Sequence, residues 1–325
     1  MLLLISILML LRREVRLRKQ LKLMKKEMLD AKWKIFQMAA ATCNFTQTAA
    51  ALGMSQPNVT GQIRKLEQEL GVALFIRDGR QLRLTRPGRV LLLEAESLLA
   101  LSENAVRMAR NAAADVLSFQ LGATMTAGGY VLPPLAAEFM REHANRRIHL
   151  CIANTEEISD KLKKRFFDLA LVEGAFDREL FLSRTLLADE LLLAGSPRLP
   201  FFRGGKVELA ELAKSNLPLL LREKGSGTRF YTDRFFREHG FRPERSGRIL
   251  ELNSPDAIKS MLRTGFGVTV ISELAVRDEL KAGTLAAARF AEGEVRREMN
   301  FIYLPNDSLK FNEEFIAYCR RKYRP

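Results

Sequence analysis

Two helical patterns meet at a glycine early in this chain, and that junction restricts the fold more than any other stretch. Residues 45–52 (FTQTAAAL) make a short helical run with Thr46, Gln47 and Thr48 in its first turn. Gly53 ends it, because a residue without Cβ accepts the positive φ that closes a helix. Ser55 then offers an N-cap, and Pro57 falls in the first turn of the next helix, where a missing N–H costs nothing. That helix is predicted from Gln56 to about Leu70, with Val59, Ile63, Leu66 and Leu70 at core spacing. A preceding helix is marked by Trp33, Phe36, Met38 and Ala40. Two short helices joined by so tight a turn, the second opening with small polar residues, describe a helix-turn-helix, whose second helix can lie in the major groove of DNA.

The outward residues of that second helix are Gln56, Asn58, Thr60, Gln62, Arg64 and Lys65. Gln and Asn can pair bidentately with adenine, and Thr offers a hydroxyl and a methyl group. A hairpin follows over residues 74–84, with Asp78-Gly79 as its turn. Arg77, Arg80, Arg83 and Arg86 lie in or beside it and suit phosphate or minor-groove contact. Residues 28–90 hold nine Lys and Arg against four acids, a basic helix and a basic wing suited to double-stranded DNA. This locates part of a net charge of +14, an excess that favours an anionic partner.

Residues 1–27 hold eight of the basic residues against two acids, placed after an apolar run too short to span a bilayer. The charge follows the apolar run, the reverse of a secretory signal. The segment reads either as an amphipathic anchor, giving a membrane-tethered regulator, or as a start codon placed too early. After the wing, Pro87 opens a long helix over residues 86–115, with Val90, Leu91, Leu93, Leu98, Leu99, Leu101, Val106 and Met108 on its apolar face. Such a helix beside a small domain is expected to pair with a second copy.

From residue 116 onward, strand-like and helical runs alternate. Strands are expected at 117–122, 148–153, 168–172, 190–194, 217–221, 247–252 and 268–271. Helices are expected at 128–142, 156–164, 228–239 and 254–264. This rhythm argues for two α/β lobes with parallel sheets around a cleft. Ligands in such sheets bind beyond the carboxyl ends of strands. Two loops qualify, 122–129 and 222–229, where small residues expose backbone N–H groups and hydroxyls beside helix N-termini. Thr124, Thr126, Gly225, Ser226 and Thr228 are the candidate effector contacts, and a small carboxylate or other small anion is the expected effector.

No catalytic pattern stands out: there is no Walker A motif, nucleophile elbow or HExxH. Glu156 and Glu157 read as a solvated helix start. Three cysteines, Cys43, Cys151 and Cys319, lie far apart and show no CxxC spacing. No metal site, no cofactor and no disulfide scaffold is expected, and the cytoplasm is the natural compartment. A solute-binding or enzymatic α/β protein with a basic appendage is the alternative. Residues 28–90 argue against it, since such a protein has no use for a recognition helix and wing.

The stretch TAAALGMSQPNVTGQIRKLEQELGVALFIRDGRQLRLTRPG resembles the signature of the LysR-type transcriptional regulators, and the rest of the chain fits that family in outline. The resemblance implies an α+β multidomain chain. It would have a winged helix-turn-helix over 28–90, a linker and dimerisation helix over 86–115, and a two-lobed effector domain over 116–325 resembling periplasmic binding proteins. It implies contact with DNA by Gln56, Pro57 and Thr60, wing contact by Arg80, and a homodimer or homotetramer. It also implies that the last helix, about residues 310–320, belongs with the first lobe. Family members begin in the register that Met28 occupies here, which favours Met28 as the true start. One position departs: Gly61 stands where the family usually has Arg or Gln. Specificity then leans on Asn58, Gln62 and Arg64, or the backbone approaches DNA closely at Gly61.

Overall fold

The computed structural model describes residues 31–79, 81–113, 116–245, 248–305 and 309–323. Residues 1–27, Met28 and Arg80 lie outside the described residues. The chain divides into two compact units, Met1–Ala113 and Ala114–Pro325.

In the first unit, α1 (Ala31–Thr42), α2 (Phe45–Leu52) and α3 (Gln56–Leu70) are followed by β1 (Phe75–Asp78), β2 (Gln81–Leu84) and α4 (Arg86–Ala113). Asn44 caps α2, its side chain accepting from the backbone N–H groups of Thr46 and Gln47 at 2.9 and 3.1 Å. Gly53 closes α2 at φ +62°. The apolar faces of the three helices meet in a core of Ile35, Phe36, Ala39, Ala49, Val59, Ile63 and Leu66, joined by Leu74 and by Ala95 of α4. Leu70 does not join them. It is 41% exposed, because the helix ends there at Gly71 and the chain turns away toward the wing. The antiparallel wing is tied to α3 by Glu67, whose carboxylate accepts the backbone N–H groups of Leu74 at 2.8 Å and Phe75 at 3.2 Å. Along α4, Ala95, Leu99 and Ala100 are buried, whereas Val90, Leu93, Leu98 and Leu101 are exposed. None of the described helices is long and apolar enough to cross a membrane.

The second unit is a two-lobed α/β structure. Its first lobe holds β3 (Leu117–Thr124), α5 (Leu132–Glu142), β4 (Arg146–Ala153), α6 (Thr155–Lys163) and β5 (Leu169–Val172). The chain then runs through β6 (Leu182–Gly195) into a second lobe of β7 (Lys206–Val207), α7 (Leu209–Lys214), β8 (Leu219–Arg222), α8 (Gly227–Glu238), β9 (Ile249–Leu252), α9 (Pro255–Arg263), β10 (Val268–Ser272), α10 (Glu273–Lys281) and β11 (Ala286–Phe290). It returns through β12 (Val295–Tyr303) to α11 (Leu309–Lys322). The strands run β4-β3-β5-β12-β6-β10-β8-β9, with β11 on β6 and β7 on β11.

Parallel pairing holds within each lobe, between β3 and β4, β3 and β5, β10 and β8, and β8 and β9. The expectation of wholly parallel sheets needs correction. The strands β6 and β12 are antiparallel to their neighbours and run from lobe to lobe, paired from Leu182↔Tyr303 to Leu191↔Val295. The run 295–303 escaped the strand reading because Arg297 occupies a buried slot and breaks the apolar alternation. The helix expected over 128–142 also begins differently: Ala127–Val131 forms a π-helical turn before α5. Helices cover both faces of each lobe, as buried parallel strands require. Phe119, Phe139, Phe301, Phe311 and Phe315 share one core, which places α11 in the first lobe. Asn312 of that helix donates to the carbonyl of Asp168 at 2.9 Å.

Candidate functional site

The first candidate surface is the outer face of α3. With Val59, Ile63 and Leu66 turned into the core, the helical period puts Pro57, Asn58, Gly61, Arg64 and Lys65 in solvent. Gln56, Thr60 and Gln62 are half-buried on the same side. Gln56 Nε2 donates to Thr60 Oγ1 at 2.8 Å. This i,i+4 pair fixes the amide before any base is met and leaves its carbonyl oxygen and second N–H for an adenine edge. An added Cβ at Gly61 meets no atom of the protein within 4 Å. The glycine is therefore not demanded by packing, and the space it leaves faces outward.

The second candidate site is the interlobe cleft. The sequence singled out Thr124, Thr126, Gly225, Ser226 and Thr228, which follow or end strands of the two lobes of one continuous sheet. Their side chains are not free, however. Thr124, Thr126, Ser226 and Thr228 are each no more than 3% exposed. Thr124 Oγ1 donates to the carbonyl of Leu171 at 3.4 Å. The Ser226 side chain accepts from the Arg229 N–H at 3.4 Å and so caps α8.

Thr126 and Thr228 are bridged by a residue that sequence reasoning missed. Arg297, on β12, donates from Nη1 to Thr228 Oγ1 at 2.9 Å and from Nη2 to Thr126 Oγ1 at 3.3 Å. Its Nε and Nη2 also meet Asp189 Oδ2 of β6 at 2.8 and 2.7 Å. Glu173, just after β5, lies 3.8 Å away, and the hydroxyl of Ser272 donates to the second oxygen of Asp189 at 2.9 Å. One buried cation thus holds residues of both lobes and both crossing strands. Burial pushes the Glu173 carboxyl above the usual carboxylate range, against the lowering pull of Arg297. Its Oε2 has no hydrogen-bond partner among the described residues. The only trace of this cluster in the sequence is a charged residue inside an apolar alternation.

The lobes touch closely beside it. A Cβ at Gly227 would fall 2.8 Å from the backbone of Gly174, and one at Gly225 would fall 2.7 Å from Glu156 Oε2. Gly225 also sits at φ +86°, and its carbonyl accepts the N–H of Glu156 at 3.3 Å. Asn154 Oδ1 accepts the N–H of Glu157 at 2.9 Å. The N-terminus of α6, which the sequence reading did not single out, therefore spends these donors on the protein itself.

Outside this closed zone the cleft opens to about 680 Å³, lined from the first lobe by Thr155, Ser159, Lys163, Phe176 and Phe181, and from the second by Lys224, Gly225, Ser226 and Phe230. Across the hinge, Tyr130 of the π-helical turn donates to Asp256 Oδ1 at 2.8 Å, and Lys259 stands 4.8 Å over its ring. Burial, with that hydrogen bond, raises the Tyr130 phenol to about 12. Among the described residues no group of three His, Cys, Asp or Glu could hold a metal ion.

Comparison with known proteins matches these two regions separately. The family described as bacterial regulatory helix-turn-helix protein, lysR family, matches residues 31–89, and the LysR substrate binding domain matches residues 115–324. The HTH-type transcriptional regulator YeiE of Escherichia coli K12, itself uncharacterized, is 32% identical over 286 residues, which is 88% of this chain and 94% of that one. Full-length CbnR complexed with its target DNA shares the fold at a TM-score of 0.67 and 21% identity, over 91% of this chain and all of that one. The regulatory domain of CcmR from Synechocystis PCC6803, in complex with 2-PG, aligns at a TM-score of 0.56 and 23% identity, over 63% of this chain and 98% of that one. The fold, the two matched regions and the relative covered nearly end to end agree: this chain belongs to the LysR family of bacterial helix-turn-helix transcriptional regulators.

Proposed function

We propose that this chain is a cytoplasmic, sequence-specific regulator that binds double-stranded DNA through α3 and the wing, works as a homodimer or homotetramer, and is modulated by a small anionic effector. It has no enzymatic role in this reading. The observation that carries the proposal is the outer row of α3, where Pro57, Asn58, Gly61, Arg64 and Lys65 stand exposed above a fully packed core. A helix that commits one face to packing and leaves a continuous polar row outward is suited to a groove. Gln56, Asn58, Thr60, Gln62 and Arg64 are the assigned base readers. Pro57 fits the helix start against the DNA backbone, and Arg80 of the wing is assigned a phosphate or minor-groove contact.

CbnR with its target DNA and CcmR with 2-PG support the DNA and effector halves of the reading. Val90, Leu93, Leu98 and Leu101 form an uncovered apolar row on α4, which supports pairing with a second copy. In the cleft, the effector is assigned to the neighbourhood of Thr124, Thr126, Gly225, Ser226 and Thr228.

The test is a footprint of the purified protein on the DNA upstream of its own gene, across a salt series. Protection of a short two-fold-related site that survives competitor DNA is the expected result. Diffuse protection that vanishes with modest salt would leave only a basic protein that binds DNA through charge.

A further inference from the structure

We propose that Glu173 is a proton switch between the two lobes of the C-terminal unit: it carries a proton while the lobes meet over it and gives that proton to water when they part. Acid then favours the joined arrangement. The inference goes beyond the DNA and effector readings and needs neither, because it stands on the contact between the lobes.

Glu173 sits in that contact. It follows β5 directly and precedes Gly174. A Cβ built at Gly227, where α8 starts in the second lobe, would fall 2.8 Å from the backbone of Gly174 and 3.0 Å from the carbonyl carbon of Glu173 itself. Glu173 is 2% exposed. Parting the lobes at this point admits water to its carboxyl.

Charge balance decides the state of that carboxyl while the lobes are joined. The charged groups that face it are Arg297 of β12, Asp189 of β6 and Arg222 at the end of β8. Both guanidinium groups are already paired. Arg297 Nη2 lies 2.7 Å from Asp189 Oδ2, whereas its Nη1 lies 3.8 Å from Glu173 Oε1, outside hydrogen-bond reach. Arg222 donates from Nε and Nη2 to the two carboxylate oxygens of Glu223, each at 2.8 Å. Thr126 and Gly227, which also border Glu173, bring no charge. An ionised Glu173 would therefore be a third carboxylate beside two cations, with Oε2 unpartnered among the described residues. The neutral acid is the less costly form to bury.

Water solvates the carboxylate once the lobes part, and it then ionises in the ordinary range. The two arrangements differ by one proton. Below the ordinary carboxylate value both are protonated and the joined form has its full advantage. Between that value and the higher one that burial sets, the ratio of joined to parted molecules falls about tenfold for each unit of rising pH. The crossing strands β6 and β12 keep the lobes connected and give them a hinge.

The experiment measures the distance between spin labels across the cleft of the full chain, one at K163C in the first lobe and one at K224C in the second. Both positions are exposed. C43S and C151S remove the two cysteines that are not buried, and excess unlabelled chain keeps labels on separate copies from meeting. With Glu173 intact, the ratio of short to long distances is expected to fall at least about tenfold between about pH 5 and about pH 8. Glu173→Gln, which keeps the shape of the neutral acid without its proton, is expected to stay short throughout. Gly227→Ala, whose methyl group the backbone of Gly174 leaves no room for, is expected to stay long throughout. Melting followed by circular dichroism establishes that each variant is folded, and Glu173→Met replaces the glutamine variant if that one is not. A distance that ignores pH with Glu173 intact overturns the proposal. So does a neutral variant at 173 that lengthens with pH, or a Gly227→Ala chain that still responds to it.

Discussion

In the N-terminal unit Asn58, Arg64 and Lys65 stand in solvent on a helix whose other face is core, whereas in the C-terminal unit Thr124, Thr126, Ser226 and Thr228 are buried and bonded to protein. Sequence reasoning selects the first group as the outward row of a helical period and the second as small polar residues beside helix N-termini. The difference lies in what the fold does next. A surface that meets a long polymer is made by one helix, so its periodicity alone says which side faces out. A cleft is made by loops from strands far apart in the chain, and its occupancy depends on residues that no local pattern connects. Arg297 lies 171 positions from Thr126, to which it donates.

The largest effect expected from this contrast is at Arg297. Replacing it by methionine leaves Asp189 and Glu173 buried without their cation, a loss of about 3–5 kcal/mol by analogy with broken buried pairs. The single tryptophan, Trp33, packs in the N-terminal core, so its fluorescence follows that unit while circular dichroism follows both. Arg297→Met should move the C-terminal transition and leave the Trp33 transition in place. A shift below about 1 kcal/mol would mean that the buried pair holds little of the hinge together.

A smaller effect is expected in the N-terminal unit, and on specificity. Gln56→Ala should reduce discrimination between the preferred and mismatched base by about 1–3 kcal/mol without changing the slope of affinity against salt. An equal loss on every DNA sequence would make Gln56 a positioning contact. Smaller again is Gly61→Ala. The added methyl meets nothing in the protein, and the helix should gain about 0.5–1 kcal/mol. If melting rises while DNA affinity falls, the backbone at Gly61 touches DNA; if affinity holds, Asn58, Gln62 and Arg64 carry the reading.

The last test concerns pH and returns to the buried cluster. The folded pKa of Glu173 lies above its unfolded value. Its contribution is therefore fully present below the unfolded value and is lost as pH rises through the folded one. Glu173→Gln lacks this dependence. The stability of the variant relative to the native protein should thus increase as pH rises from about 4.5 toward neutrality. A constant difference across that range would show that Glu173 titrates as though unburied.

Much of the architecture was legible because local rules agreed with the fold. Gly53 and Pro57 punctuate α2 and α3 where the backbone needs a positive φ and a donor-free position, whereas Ser55 holds the N-cap position of α3 without a side-chain capping bond and the cap of α2, Asn44, went unread. The lobes could be read from their alternating strands and helices. The crossing strands could not, because β6 changes from half-exposed to fully buried as it passes between lobes and β12 carries Arg297 in an inward slot. Leu70 was misread because periodicity does not say where a helix stops being covered. Lys163 and Phe230, which line the cleft, gave no signal, since an exposed lysine or phenylalanine acquires meaning only from what faces it.

If α3 and the wing grip DNA as proposed, Glu67 has a consequence for how the duplex is sensed. By holding the first two backbone N–H groups of the wing's leading edge, it makes α3 and the wing the two jaws of a caliper set to one gap. A protein with a flexible wing can adjust to whatever groove it meets. A caliper with a fixed gap transfers that adjustment to the duplex, which must widen, narrow or twist to fit. Duplexes differ in stiffness with sequence, so on the proposed reading Glu67→Ala should flatten the protein's preference at base pairs that none of its side chains touches, measured as affinity across duplexes varied only at those positions.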